Sequence, residues 1–221
     1  IPFRQYLKLL SSQTTGVSKM NIRKFKYLIC GMFLAIASPY SLADEHPAQV
    51  MVEEAITGML DLFQTEEDRL KSDPEFLQSK LDELIVPHLD FDLMTKSVVK
   101  KYWRKATDSQ RDELVIQFKA LLMNAYSGAL TEYSGESITF EPFRPASRED
   151  RAVVKSVFSQ KTGEDVPVVY KLRDKSGWTI YDIEVNNISL VTSYRSAFYQ
   201  EIEKGGIEGL IATLKERNGT S

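Results

Sequence analysis

The hydrophobic periodicity of this chain changes once, near residue 138, from the repeat of an α-helix to the repeat of a β-strand. Before that point, apolar residues recur every three or four positions, as they do on one face of a helix. Beyond it, short stretches rich in β-branched and aromatic residues alternate with polar turns, which is typical of strands. Helices and strands that are segregated along a chain predict an α+β fold. We therefore predict one antiparallel sheet of about four strands packed with about six helices.

Prolines, capping residues and glycines mark the predicted helix boundaries. Pro74 opens one helix and Pro87 ends it, because proline fits the first turn of a helix but disrupts its interior. Asp90 or Asp92 can cap the next helix, since a short carboxylate accepts hydrogen bonds from the free amides of a first turn. The predicted helices cover residues 47–71, 74–86, 90–103, 107–133, 190–203 and 207–217, the last two separated by Gly205 and Gly206.

Four stretches carry the strand pattern, at residues 138–143, 152–159, 166–172 and 178–185. Short polar loops join them. Connections this short make consecutive strands antiparallel neighbours.

Residues 20–43 have the layout of a secretory signal peptide. A basic stretch from Met20 is followed by an apolar run over residues 27–37, and small residues stand at Ser41 and Ala43. The apolar run is too short to span a bilayer, which needs about 20 residues. We expect cleavage after Ala43, export to the periplasm and one mature domain over residues 44–221. Residues 1–19 are expected to be a non-native upstream extension.

Charge and cysteine content restrict the classes of function. Residues 1–43 hold six basic and no acidic residues, so the remainder has 22 basic against 31 acidic residues, a net charge of −9. Such a balance argues against nonspecific binding to nucleic acid. The single cysteine is Cys30, inside the predicted signal peptide. The mature chain is therefore expected to have no disulfide, no thiol nucleophile and no cysteine metal site.

The best candidate for a catalytic or metal-binding motif consists of His88, Asp90 and Asp92. Their spacing could support acid–base or metal chemistry, but it also fits a helix boundary at which Asp90 or Asp92 caps the following helix. We favour the boundary and predict no catalytic residue, metal or cofactor. His46 lies close to the predicted cleavage site, and we expect it to be disordered.

Asp182 and Glu184 share one face of the fourth predicted strand. Tyr181, Ile183 and Val185 lie on the opposite face by simple alternation. We therefore expect the two acids to face water and the three apolar residues to point inward.

A cluster of basic residues stands out against the acidic remainder of the chain. It is either an ordinary solvated helix face or a docking surface for an acidic partner or lipid headgroups. The basic cluster consists of Lys96, Lys100, Lys101, Arg104 and Lys105.

Six segments together resemble the MlaC family of periplasmic phospholipid carriers, also known as toluene-tolerance proteins. The resemblance covers about residues 48–217, and Asn186 and Asn187 stand where the family often has glycine. Each segment alone is a weak signal, but their order along the chain is specific. The segments are VPHLDFDLMT (86–95), WRKATDSQR (103–111), FKALL (118–122, followed by Tyr126 and Tyr133), VPVVYKL (166–172), WTIYDI (178–183) and SLVTSYRSAF (189–198).

The resemblance implies a fold that encloses an apolar lipid cavity. It also implies a carrier of glycerophospholipids between an outer-membrane lipoprotein complex and an inner-membrane ABC transporter with an MCE-domain subunit, maintaining lipid asymmetry of the outer membrane. Candidate lining residues lie at inward positions of the third and fourth strands and on the apolar stripe of the long helix. They are Phe118, Leu122, Tyr126, Val168, Tyr170, Leu172, Tyr181, Ile183 and Val185.

Two alternatives remain open at this point. One is a secreted hydrolase or isomerase that uses Asp90, Asp92 or His88. The other is a periplasmic adaptor whose apolar faces are fully packed and bind no lipid.

Overall fold

A computed structural model describes residues 45–130, 137–159 and 164–219 of this protein. Five helices precede an antiparallel sheet along this part of the chain, and a kinked helix follows the sheet. The side chains of Tyr126 and residues 128–130 are outside this description. The predicted signal peptide and upstream extension also lie outside the described residues. In the part of the chain that is described, no helix is long and apolar enough to cross a membrane.

The first two helices are α1 (Pro47–Thr65) and α2 (Glu67–Ser72). The prediction of one continuous helix over 47–71 is wrong, because Glu66 leaves the helical conformation at φ −128° and ψ 27°. The Thr65 hydroxyl donates to Asp61 O at 3.0 Å, a local bond common where helices bend or end. α1 buries residues spaced three or four apart, which are Ala48, Val52, Ala55, Met59 and Phe63.

The next three helices begin at the kinds of cap that their sequences indicate. α3 (Pro74–Leu84) has proline in its first turn, and α4 (Phe91–Val99) is capped by Asp90, whose Oδ1 accepts from Leu93 N at 2.9 Å. α5 (Asp108–Leu130) follows a reciprocal pair: Thr107 Oγ1 accepts from Gln110 N, and Gln110 Oε1 accepts from Thr107 N.

Short 3₁₀ turns shorten two of the predicted helices. α3 ends before a turn at Val86–His88 that contains Pro87. α4 ends at Val99, and the next residue, Lys100, has a φ of 40° and begins a turn at Lys100–Tyr102.

The sheet is antiparallel throughout, with its strands in chain order. Asn186 and Asn187 both have positive φ, as a tight two-residue hairpin turn requires. The α+β prediction is therefore confirmed, with a short fifth strand added. The strands are β1 (Ser137–Phe140), β2 (Arg151–Ser159), β3 (Val166–Asp174), β4 (Trp178–Val185) and β5 (Ile188–Ser189).

The last helix, α6 (Leu190–Asn218), consists of two segments separated at Gly206. Gly206 has φ 69° and ψ −170°, a conformation essentially restricted to glycine, so the predicted break is confirmed. Thr213 Oγ1 lies 3.4 Å from Glu201 Oε2, which shows that the two segments turn back towards each other.

Buried apolar residues form three clusters. The helical cluster joins α4, α5 and α6, while the sheet cluster joins α1 to one face of β2–β4. A third cluster joins α1, α2, α3 and Met123 of α5. Leu89 packs against the helical and sheet clusters, and Val86 packs against the helical and third clusters. The segment around the 3₁₀ turn 86–88 is therefore where the three clusters meet.

Candidate functional site

The inner face of the sheet is the candidate site. The register places Ala152 opposite Leu172 and Val154 opposite Tyr170, and paired residues share one face. These four side chains are buried together with Ile180, under Ala48 and Val52 of α1. The N-terminal part of α1 therefore covers the part of the apolar inner face that lies around Leu172 and Ile180.

Three inner-face positions on β3 and β4 are less completely covered, although Ser156 and Val166 on the same face are buried. Val168 lies opposite Val185, and Tyr170 lies opposite Ile183. Val168, Ile183 and Val185 are only half-buried, whereas Leu172 and Ile180 are buried. A half-open surface of this kind can accept an apolar ligand against its exposed part.

Tyr170 combines an apolar ring with a polar tip on this face. It is 5% exposed, and burial raises the pKa of its phenol above the usual value of 10.0. The hydroxyl is therefore neutral at ordinary pH and can donate a hydrogen bond.

The predicted inward orientation of Tyr181 is wrong. Lys171 pairs with Asp182 and Leu172 pairs with Ile180, so Tyr181 is an extra residue in the β3–β4 ladder. Such a β-bulge interrupts simple alternation. The Tyr181 ring lies 5.2 Å from the guanidinium carbon of Arg151, which precedes the inward-facing Ala152. Tyr181 therefore contacts a residue of the outer face.

Phe118 and Leu122 are not opposite the inner face of the sheet. Both belong to the helical cluster, and Phe118 is 0% exposed. Its ring centroid lies 5.5 Å from Tyr194 and 5.4 Å from Phe198 of α6. Their predicted position facing the strand residues is wrong, because α6 covers this stripe of α5. Tyr126 was predicted with them, but its side chain lies outside the described residues.

Asp182 is buried, contrary to the expectation that it faces water. It is 7% exposed, and its carboxylate accepts from Ser189 Oγ at 2.8 Å and from Val191 N at 3.2 Å. The correction has a clear cause: α6 begins on this face of β4 and covers it. The carboxylate therefore fixes the start of α6 to the sheet.

Lys171 connects Asp182 to Glu184. Its Nζ lies 3.4 Å from Asp182 Oδ2 and also contacts Glu184 Oε1. Burial lowers the pKa of Lys171, but the two carboxylates outweigh this effect and raise it above the ordinary value. Glu184 is half-buried rather than fully solvated.

The three residues considered for catalysis have different surroundings. Asp90 caps α4, and its Oδ2 accepts from Arg173 Nη2 at 3.0 Å, a contact that sequence reasoning missed. Asp92 is exposed, and His88 is half-buried in the 3₁₀ turn. Over the described ranges, no group of three or more His, Cys, Asp or Glu side chains is placed to hold a metal ion. The contacts of Asp90 support the helix-boundary interpretation.

His46 is well placed in the structure, so the expectation of disorder is wrong. Its Nδ1 accepts from Ala48 N at 3.2 Å and caps α1. The imidazole stacks on Phe143 at 4.1 Å and meets the edge of Trp178 at 5.1 Å. No local sequence signal joins these three rings, because they come from separate parts of the chain.

All five members of the basic cluster are exposed. Lys101 Nζ lies 4.9 Å from the Tyr102 ring centre and 5.3 Å from that of Tyr199. Lys105 Nζ lies 5.8 Å from the Tyr102 ring. The cluster is thus a basic surface interleaved with aromatic rings, at the end of α4.

A separate cleft of about 780 Å³ lies beside α2, α3 and α5. None of the residues predicted to contact a ligand is among the side chains that line it. Those are Leu70, Lys71, Pro74, Glu75, Leu77, Gln78, Ser79, Asp82, Asn124 and Ser127.

Two characterised proteins are similar to this chain over most of its length. Toluene tolerance protein ttg2D of Pseudomonas putida is 30% identical over 177 residues, covering 79% of this chain and 81% of that protein. The intermembrane phospholipid transport system binding protein MlaC of Haemophilus influenzae is 22% identical over 194 residues, with 86% of each protein covered.

A solved structure has the same fold. It is a phospholipid-binding protein from Ralstonia solanacearum in complex with a phospholipid, with a TM-score of 0.73 and 31% identity. The match covers 79% of this chain and 98% of that one. The family model described as MlaC protein matches residues 53–216, which is most of the chain. The resemblance seen in the sequence is confirmed, and this chain belongs to the MlaC protein family.

Proposed function

We propose that this protein is a periplasmic phospholipid carrier. The observation that carries the proposal is the fold match, at 31% identity, to a chain solved with a phospholipid bound. The half-open apolar face around Val168, Ile183 and Val185 supports it, because an acyl chain needs such a surface.

The energetics of a carrier differ from those of an enzyme. Two acyl chains with about 15 buried methylenes each are stabilised by roughly 24 kcal/mol at about 0.8 kcal/mol per methylene. A bilayer offers nearly the same stabilisation, so transfer between protein and membrane is close to neutral. Partner complexes can then drive the lipid in either direction without any chemical step.

The proposed partners are membrane complexes on both sides of the periplasm. They are an outer-membrane lipoprotein complex and an inner-membrane ABC transporter with an MCE-domain subunit. In this proposal, the exposed basic cluster is the docking surface, and the transport maintains lipid asymmetry of the outer membrane.

Mass spectrometry of organic extracts from protein purified from the periplasm tests this function. A carrier should yield stoichiometric phospholipid and should move labelled phospholipid between vesicles. Lysolipid and free fatty acid released by the protein would instead support the hydrolase that uses His88, Asp90 or Asp92. Absence of both lipid and transfer would contradict the carrier and favour the adaptor.

Val168→Trp distinguishes an open site from a filled core. Val168 is half-buried on the inner face, so the indole should occupy ligand space and lower the phospholipid bound per folded molecule. Overpacking of a filled core costs roughly 1–3 kcal/mol. In an open site, the unfolding free energy of lipid-free Val168→Trp should fall by less than that. Extractable lipid and urea unfolding should be measured on the same preparation.

Val169→Trp is the matched control. Val169 is the next residue on β3, is also half-buried and pairs with Glu184 on the outer face. It should retain bound lipid. Full lipid content in Val168→Trp together with strong destabilisation would remove Val168 from the site.

A further inference from the structure

The basic cluster at the end of α4 is a positively charged surface on an acidic chain. Residues 93–107 hold all five of its basic side chains and no acidic one. Within the described part of the chain, none of the five forms an ion pair with a carboxylate. Elsewhere, Lys71, Lys80 and Lys204 each contact a glutamate three or four positions away. The charge of the cluster is therefore available to an anionic partner from outside the chain.

Lys100 has an unusual backbone conformation within this cluster. Its φ of 40° and ψ of −103° lie in a region that a residue with a Cβ rarely adopts. Strain of this kind costs stability and is concentrated at functional sites. Glycine would adopt the same conformation without a Cβ clash. A lysine at this position therefore points to a contribution from its exposed ammonium group.

Two tyrosine rings lie among the lysines. Tyr102 and Tyr199 meet edge to face, with their ring centres 5.0 Å apart. The ammonium of Lys101 lies 4.9 Å from the first ring centre and 5.3 Å from the second. Both tyrosines are half-buried, and Tyr102 packs against the helical cluster. Tyrosines, which combine an apolar ring with a polar hydroxyl, are enriched where proteins meet the headgroup layer of a membrane.

The composition of the cluster favours a membrane surface over an acidic protein. It has four lysines and one arginine, and protein–protein interfaces are depleted in lysine and enriched in arginine. Clusters of about four to eight basic residues attract the anionic headgroups of a bilayer. Acidic residues farther from the membrane than a Debye length of about 8–10 Å oppose this contact little, because salt screens them.

We propose that the basic cluster, with Tyr102 and Tyr199 beside it, binds the anionic phospholipid headgroups of a bilayer directly. This inference rests on the proposed carrier function and deepens it. The first partner of the docking surface is then lipid, and the protein reaches a membrane complex along the bilayer that holds it.

Flotation with lipid vesicles tests the inference. Protein purified from the periplasm is mixed with vesicles of phosphatidylcholine alone, or of phosphatidylcholine with phosphatidylglycerol, at low and high salt. It should float with the anionic vesicles only, and high salt should release it. Lys100→Gln together with Lys101→Gln should weaken this binding by about thirtyfold, since each lysine near an anionic surface contributes about fivefold. The matched control, Lys155→Gln together with Lys175→Gln, should bind as the wild-type protein does.

Lys100→Gly separates the charge from the backbone conformation. It should raise the thermal stability, because it relieves the strain, and should weaken binding to anionic vesicles by about fivefold, because it removes one charge. Undiminished vesicle binding by this variant would remove Lys100 from the surface.

Equal binding of the wild-type protein to neutral and anionic vesicles would overturn the membrane contact. So would equal binding of anionic vesicles by the wild-type protein and the variant with glutamine at residues 100 and 101. Either result would leave the cluster to an acidic protein partner. The phospholipid content of the same preparation is measured in parallel, and its absence would overturn the carrier function, which vesicle binding does not test.

Discussion

At the scale of single residues, Asp182 shows how a charged side chain is accommodated inside this fold. Its carboxylate is surrounded by donors from three places: Ser189, the Val191 amide at the start of α6, and Lys171 on the neighbouring strand. The arrangement ties the sheet to the last helix. Its neighbour Glu184 contacts the same lysine but is more exposed.

Asp182→Ala should lower the free energy of unfolding by about 2–4 kcal/mol, because it leaves the buried Ser189 hydroxyl and Val191 amide without their acceptor and removes one of the two carboxylates beside Lys171. Glu184→Ala, the matched control, should cost less than about 1 kcal/mol, as is usual for a more accessible ion pair. Urea unfolding of both variants at neutral pH checks the difference. Equal costs would contradict the structural role assigned to Asp182.

At the scale of elements, the last helix depends on one backbone conformation. Gly206 has a positive φ and a ψ near extended values, whereas Gly205 beside it has no positive φ. A Cβ added at either glycine would meet no atom within 4 Å. The two positions therefore differ in backbone conformation and not in the room available for a side chain.

Gly206→Ala should destabilise the protein by about 1–3 kcal/mol, the cost of holding a side chain in a strained backbone conformation. Gly205→Ala should be neutral or stabilising by up to about 1 kcal/mol, because alanine restricts the unfolded chain without strain. Chemical denaturation compares the pair. Similar values for the two variants would show that α6 can continue through residue 206 without a break.

The β-bulge at Tyr181 is also decided at this scale. An extra residue in β4 moves one aromatic ring to the outer face and keeps Ile180 and Ile183 on the inner face. As a result, the inner-face positions of β4 from Ile180 to Val185 remain apolar.

At the scale of the whole molecule, the charge distribution is uneven. The chain beyond the predicted signal peptide carries a net charge of −9, yet five basic residues are exposed around the end of α4. Opposite charge on a partner would speed docking, and salt would weaken the effect over a Debye length of about 8–10 Å.

Reversal of Lys100 and Lys101 to Glu should slow lipid handover to membrane partners at low ionic strength. The unfolding free energy should stay within about 0.5 kcal/mol of the wild-type value, as for ordinary surface changes. The control is the same reversal to Glu at Lys155 of β2 and Lys175 of the β3–β4 turn, which are both exposed. It changes the net charge by the same amount. Handover rates measured across salt concentrations should show a deficit only for the first pair. Equal rates for both pairs at low salt would make the basic cluster an ordinary solvated surface.

The sequence by itself determined the features that depend on local interactions. Proline and Asp90 marked helix starts, the glycine pair marked the break in α6, and the two periodicities separated helices from strands. These signals work because caps, turns and amphipathic faces are set by residues a few positions apart. The order of the motifs was enough to identify the family.

Tertiary structure alone decided which faces are covered. Asp182 is buried because α6 starts over it, Phe118 packs on α6 instead of the sheet, and the bulge turns Tyr181 outward. His46 is ordered because rings from two other segments enclose it. Each outcome depends on an element distant in sequence, so no local pattern around these residues could have predicted it.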